Sequence, residues 1–248
     1  MARDTRILMG MPITIEIVED GLRDLVDDVF AYFATVDRRF SPFKPDSEVS
    51  ALSRSPLPLS DLSADLREVL AIASRTKRET LGYFDIRRPD GRLDPSGIVK
   101  GWAVRNAARR IEAAGCQHFF VDAGGDIQSL GKTAKGEDWR IGIRNPFNDR
   151  EIIKVLVPRG CGIATSGTYV RGQHIYDPYR PGQPIDDIVS LTVIGPDVLE
   201  ADRFATAAFA MGKAGIRFLE ELPGLEGYVV DLNGIATQTS GFRAFVTS

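Results

Sequence analysis

Apolar and polar residues alternate through "ITIEIV", within residues 5–19, and a period of two is the signature of a strand with one buried face. The period then changes. Across 21–39, Leu22, Leu25, Val29, Phe33 and Val36 share one helical face. "FSPFKPDSEVSALSRSPLPLS" is rich in Pro and Ser and predicts a loop, with Phe40 and Phe43 available to pack on other elements. A second amphipathic helix is predicted through "DLSADLREVLAIASRTKRETLG", with Ser60 or Ser63 as its cap and Gly82 as its stop. The Pro/Gly-rich connector "YFDIRRPDGRLDPSG" leads to a third helix, "IVKGWAVRNAARRIEAAG", ending at Gly115.

Beyond Gly115 the pattern is mainly that of strands: "HFFVD", "DIQSLG", "WRIGIRNP", "EIIKVLVP", "CGIATSGTYV" and "DDIVSLTVIG". Helices return at about 198–211 and at 213–221. "YVVDLNGIATQTS" then reads as a hairpin turned at Asn233-Gly234. Strands and helices come in runs rather than in strict alternation, which predicts an α+β fold over a doubly wound sheet. No short-period repeat and no linker stands out. The chain reads as one unit over residues 1–248, with two intimately packed halves as the other reading.

Composition narrows the function. Of 248 residues 43% are hydrophobic and 26% charged, as expected for a globular protein. The net charge of -3 gives no basic surface for nucleic acid. No apolar run reaches the ~20 residues of a membrane span, and the first residues lack a signal-peptide core, so a cytoplasmic location is the expectation. Cys116 and Cys161 form no CxxC pair and read as isolated thiols. His118 leads into an apolar strand; His174 lies in a polar turn.

Four places carry candidate chemistry. In "EADRFATAAFAMG", Asp202 and Thr206 share a helical face, as i and i+4 residues do. Two readings fit: an acid at a helix start, or two oxygen ligands for a hard cation such as magnesium. In "LDPSGIVKGWAV", a glycine turn before a helix exposes amides suited to phosphate, with Lys100 one turn in; the alternative is an ordinary helix start capped by Ser96. "VDAGGDI" is a glycine turn without the following helix of a dinucleotide fingerprint; Asp126 bonding the turn backbone is its plain reading. "SGTYVRGQHIYDPYRPG" holds His174 with Asp177 three residues on, a possible base and its partner.

Taken in order, "MGMPITIEI", "FSPFKPDSEVSALS", "TLGYFD", "LDPSGIVKGWAV", "DAGGDI", "IATSGTYVRGQHIYDP" and "LTVIGPDVLEADRFATAAFAMG" give the chain a resemblance to the ApbE-type FAD:protein FMN transferases. The resemblance runs almost end to end. It implies an ApbE-like, T-fold-related architecture of largely antiparallel sheets with flanking helices. It implies a magnesium-dependent enzyme that cleaves FAD, attaches FMN to a Ser or Thr hydroxyl of a client protein and releases AMP. Asp202 and Thr206 match metal ligands, and Gly97 a carbonyl ligand. Asp94 and Lys100 match FAD contacts; Met9, Phe43, Tyr83, Phe84, Asp85 and Tyr176 match positions lining the FAD pocket. His174 matches the base that activates the acceptor hydroxyl, supported by Asp177.

Departures from the family pattern are local. Ala205 stands where a polar residue is common, Leu81 and Arg105 where Asp is frequent, and Asp122 where Asn is frequent. The segment from "YFD" to "LDPSG" is short, on the adenine side of the expected site. Two other readings use the same residues: a magnesium-dependent FAD pyrophosphatase with water as acceptor, and a non-catalytic FAD-binding module.

Overall fold

The computed structural model describes residues 1–55, 57–88, 90–167 and 175–247. The alternating start of the chain folds back on itself as β1 (Ala2–Leu8) and β2 (Met11–Ile17), with Leu8 opposite Met11. Met9 and Gly10 between them have φ of +53° and +73°. A two-residue turn of that hand matches the twist of the strands, and it places Met9 in a backbone region that side chains rarely adopt. Met11, Ile13, Ile15 and Ile17 point into the core, as the alternation requires.

The helical period builds α1 (Arg23–Phe40), buried along Val26, Val29, Phe30, Phe33, Val36 and Phe40. The Pro/Ser-rich stretch is not all loop. It contains α2 (Glu48–Arg54), started by Ser47, whose hydroxyl accepts the Ser50 amide at 3.0 Å. Val49 alone of this helix is buried, so the periodic signal that would reveal it is missing. Of the two aromatics expected to pack, Phe40 is buried and Phe43 is 83% exposed. α3 (Ala64–Glu79) starts at Ser63, the second of the two predicted caps. α4 (Ser96–Ala113) stops just before Gly115, which has φ +90°.

The strands follow: β3 (Phe119–Ala123), β4 (Asp126–Leu130), β5 (Ile141–Asn145), β6 (Asn148–Leu156), β7 (Gly162–Gly167) and β8 (Ile188–Gly195). Then come α5 (Val198–Ala210), α6 (Gly215–Glu220), β9 (Glu226–Asp231) and β10 (Ala236–Gln238). Among the described residues, eight strands form one antiparallel sheet in the order β1-β2-β3-β4-β7-β8-β9-β10, and β5-β6 is a separate hairpin. This is the α+β, largely antiparallel fold that the runs of strands and helices predicted. α1 packs on β1 and β2, α4 on β3 and β4, α5 on β4, β7 and β8, and α6 on β9. Ile141, Ile143 and Leu156 of the β5-β6 hairpin pack with Ile127, Ile163 and Ile194, sheet residues separate from the cores under the helices.

The layout is used twice: a hairpin, helices, then a hairpin. β1-β2 and β3-β4 bracket α1 to α4; β7-β8 and β9-β10 bracket α5 and α6. The two runs meet at β4 and β7, where only Ile127 opposite Ile163 and Gln128 opposite Gly162 are in register. Side chains complete this thin seam. The Gln128 carboxamide donates to the Gly160 carbonyl at 2.8 Å and accepts the Val198 amide at 2.9 Å.

Above the seam, α4 and α5 cross at glycines. A Cβ on Gly101 would lie 2.8 Å from Asp202 Cβ and 3.0 Å from Leu199 Cα; one on Gly97 would lie 3.3 Å from Thr206 Oγ1. Gly101→Ala must therefore push the helices apart. It is expected to cost about 2 kcal/mol, a fall in Tm of roughly 4–8 °C, read by thermal denaturation. An unchanged Tm would show that the crossing is looser than this contact implies.

Candidate functional site

The start of α4 is organised by Asp94 rather than by the predicted cap Ser96. Asp94 Oδ1 accepts the Ser96 amide at 3.2 Å and the Ser96 hydroxyl at 2.5 Å, while Pro95 occupies the cap position. Arg88 lies 3.5 Å from the same carboxylate. The first turn of α4 thus begins beside an acid that is already engaged.

One turn further in, α4 meets α5. Asp197 caps α5 by accepting the Glu200 amide at 3.0 Å, so Asp202 lies beyond the first turn and the helix-start reading does not account for it. Asp202 is 2% exposed. Its Oδ2 accepts the Gly101 amide at 2.8 Å. In a regular helix that amide serves the carbonyl of Gly97. Thr206 is one turn on, against Gly97. The crossing therefore gathers Gly97, Asp202 and Thr206, the three residues singled out as possible ligands.

A second buried acid joins them from the sheet. Asp126, at the head of β4, is fully buried; its Oδ1 accepts the Thr165 amide at 3.4 Å and its Oδ2 lies 2.7 Å from Lys100 Nζ. The same Nζ is 3.6 Å from Asp202 Oδ1. Burial raises the Asp202 pKa well above the usual carboxylate range, and the neighbouring Asp126 charge raises it further against the pull of Lys100. The glycine turn is tied by Asp122, which accepts the Gly125 amide at 2.7 Å, and not by Asp126 as the sequence suggested. The sequence places Asp126 in the turn but not in this cluster, because its partner Lys100 comes from a helix that no local pattern connects to it.

The aromatic positions lie beside this cluster. Phe84 is buried, with Cε2 3.0 Å from the point where a Gly97 Cβ would stand. Tyr83 packs on Tyr179 with ring centroids 4.9 Å apart, and the Tyr179 hydroxyl donates to the Leu81 carbonyl. Tyr179 had no place in the sequence reading. Asp85 pairs with Lys77 at 2.6 Å and accepts the Arg87 amide at 2.8 Å. The Tyr176 phenol is pushed up by burial and then by the charge of Asp85, with Asp94 adding to this and Arg88 opposing, so these groups share one neighbourhood.

The remaining predicted residues are less gathered. Asp177 is buried and occupied within its own loop, accepting the Tyr179 amide at 2.9 Å and pairing with Arg180 at 2.7 Å. Met9, in the β1-β2 turn, packs half-buried on the core of α1 and α4. Phe43 is exposed, and its amide bonds the Ser41 hydroxyl at 3.3 Å. His174 lies outside the described residues, as does Thr168.

The donor set suits a hard cation. Among the described residues no three His, Cys, Asp or Glu side chains form a metal-holding group. A cation at the crossing would rely on the Asp202 carboxylate, a hydroxyl, a carbonyl oxygen and water. Magnesium is commonly bound by only one or two carboxylates, with several waters retained.

Known proteins resemble this chain in sequence and in fold. The family described as the ApbE family matches residues 9–88 and 86–229. The FAD:protein FMN transferase of Escherichia coli K12 is 32% identical over 67% of this chain and 51% of its own length. That of Haemophilus influenzae is 25% identical over 94% of this chain and 87% of its own length. The chain thus spans about half the length of the first of these curated relatives. The flavin transferase ApbE of Vibrio cholerae superposes with a TM-score of 0.86 over 98% of each chain at 24% identity. The ApbE protein of Thermotoga maritima superposes at 0.87 over 100% and 99% at 20% identity. These two share the fold.

Asp122 offers a pH test of the buried electrostatics. Burial, and then the Asp126 charge, raise its pKa, so the native state holds this proton more tightly than the unfolded chain does. Its contribution is favourable below the usual carboxylate range and is lost as pH rises through the raised native value. Asp122→Asn keeps an acceptor for the Gly125 amide and removes the charge. The variant should have a higher Tm than the wild type at pH 7, with the gain shrinking as pH falls through the carboxylate range. A gain independent of pH would refute the electrostatic cause.

Proposed function

The chain belongs to the ApbE family, and on that premise we propose that it transfers the FMN half of FAD to a Ser or Thr hydroxyl of a client protein. The observation that carries the reading is the crossing of α4 and α5, where Gly97, Lys100, Asp126, Asp202 and Thr206 converge beside the aromatic residues Tyr83 and Phe84. Such a site offers oxygen donors, a positive charge and flat apolar surface within one small region.

The Asp202 carboxylate, the Thr206 hydroxyl and the Gly97 carbonyl are the groups that would hold magnesium. Magnesium, when bound, would offset charge on the pyrophosphate oxygens and stabilise what builds up there in the transition state. Because the Gly101 amide reaches toward Asp202, the Gly97 carbonyl keeps acceptor capacity on its open side. Lys100 supplies a cation for the phosphates. Asp94, Asp85 and Tyr176 offer polar contacts, and Met9, Phe43, Tyr83 and Phe84 apolar surface, to the two ends of FAD.

His174 takes the proton of the client hydroxyl. The hydroxyl oxygen bonds the FMN phosphorus, the bond from that phosphorus to the bridging oxygen breaks, and AMP leaves with that oxygen. In-line placement of the two oxygens accounts for much of such catalysis. Asp177 contributes by fixing the turn that follows His174, through the Tyr179 amide and Arg180. Water in place of the client hydroxyl would give FMN and AMP.

The test is AMP release from FAD, with magnesium or with EDTA, with and without a Thr-containing client domain whose mass is read in parallel. AMP together with an FMN-sized mass gain on the client, both lost in EDTA, is the expected result. AMP and free FMN with no labelling of any client would replace the transferase with a pyrophosphatase, and FAD binding without AMP would leave a binding module. His174→Ala should keep FAD affinity and lose transfer by about 100-fold or more. An equal loss of binding would remove its role as base. Asp202→Ala should move the magnesium titration to concentrations at least about tenfold higher.

A further inference from the structure

Lys100 stands between two carboxylates that are closed to solvent. Its Nζ is 2.7 Å from Asp126 Oδ2 and 3.6 Å from Asp202 Oδ1, and the two acidic side chains are 0% and 3% exposed. Buried carboxylates this close repel each other, and each pays for lost hydration. The ammonium is the counter-ion that lets α4, α5 and β4 close over them. Of the two Asp202 oxygens, Oδ2 already accepts the Gly101 amide. Oδ1, the one turned to Lys100, accepts no such bond among the described residues and is the oxygen with more capacity left for a metal. One oxygen cannot serve an ammonium and a divalent cation equally, because two cations a few ångströms apart in a poorly solvated site repel strongly.

Resting on the metal reading above, we propose that Lys100 is a built-in place-holder cation: its one charge is shared between Asp126 and Asp202 and offsets part of theirs in the metal-free protein, and it yields Asp202 Oδ1 to the divalent ion on binding. Asp126 is the positioning residue that keeps the ammonium within reach. Lysine suits this duty. Its charge is compact and sits on a flexible stem, so it moves aside without breaking a fixed fork of hydrogen bonds, as arginine would have to. Its side chain is 17% exposed, against 0% and 3% for the two acids, so it alone of the three reaches solvent. The exchange keeps the site folded in either state and weakens metal binding by the cost of displacing the resident charge.

The test needs no FAD and no turnover. Wild type, Lys100→Met, Lys100→Arg and Asp202→Asn are melted in EDTA and across a magnesium chloride titration, with Kd taken by calorimetry. In EDTA, Lys100→Met should lose about 10 °C in Tm, since it strands two buried acids. Saturating magnesium should restore most of that loss, and magnesium should bind Lys100→Met about tenfold more tightly, or better, than wild type. Lys100→Arg should hold its Tm in EDTA and bind magnesium more weakly than wild type. If Lys100→Met cannot fold in EDTA, refolding only in magnesium supports the exchange, and failure in both leaves Lys100→Arg to decide it.

Equal Tm losses with and without magnesium, or wild-type magnesium Kd values in the Lys100 variants, would overturn the exchange while leaving the metal site standing. That second case is recognised by a wild-type magnesium shift that Asp202→Asn abolishes. No saturable shift in the wild type would remove the metal reading, and the exchange with it.

Discussion

The site depends on one close approach. α4 and α5 meet nearly backbone to backbone because positions 97 and 101 carry no side chain, and the Gly101 amide reaches Asp202 across the gap. A hydrogen bond from a neutral amide to a buried carboxylate is among the stronger ones a protein makes, and it is expensive to leave unmade. It fixes the carboxylate in direction as well as in place. Were the helices held apart by ordinary side chains, Asp202 and Thr206 would face an apolar wall instead of the start of α4.

The approach also has to be supported from below. The two runs of hairpin, helices and hairpin meet at β4 and β7 through a short ladder that Gln128 extends by tying the Gly160 carbonyl to the Val198 amide. A Cβ on Gly162 would fall 2.0 Å from the Val198 nitrogen, so the entry to α5 rests directly on β7. Asp126 is at the head of the strand beside that seam. The acids that form the cluster thus come from both runs of the chain, and neither run contains the site alone.

Burying charge is costly, and this fold concentrates it. Asp126 and Asp202 sit where hydrophobic residues would pack more cheaply, with Lys100 as their shared partner. The raised pKa of Asp202 and of Asp122 records the same tension. Such groups are a poor way to stabilise a protein and a good way to prepare a place for cations and phosphates. The aromatic neighbours add flat surface, and Tyr179, bonded to the Leu81 carbonyl and tilted against the Tyr83 ring, ties the loop of Asp177 to the same region.

Periodicity along the chain determined the elements that bury a continuous face. Strands β2, β3 and β5 and helices α1 and α3 were legible because their apolar residues repeat at two or at 3.6, whereas β8 and α5, buried on nearly every side, were legible as dense apolar runs. α2 was not, since a single buried Val49 makes no pattern. Motifs in the sequence also marked Gly97, Lys100, Asp202 and Thr206 as belonging together through resemblance to a family. The tertiary structure alone decided how they meet. Gly101 and Asp202 are 101 residues apart, and the Lys100–Asp126 pair joins a helix to a strand. Local patterning reports which face of an element avoids water. It carries no record of which distant element covers that face, and the partner of a buried charge is set by that choice.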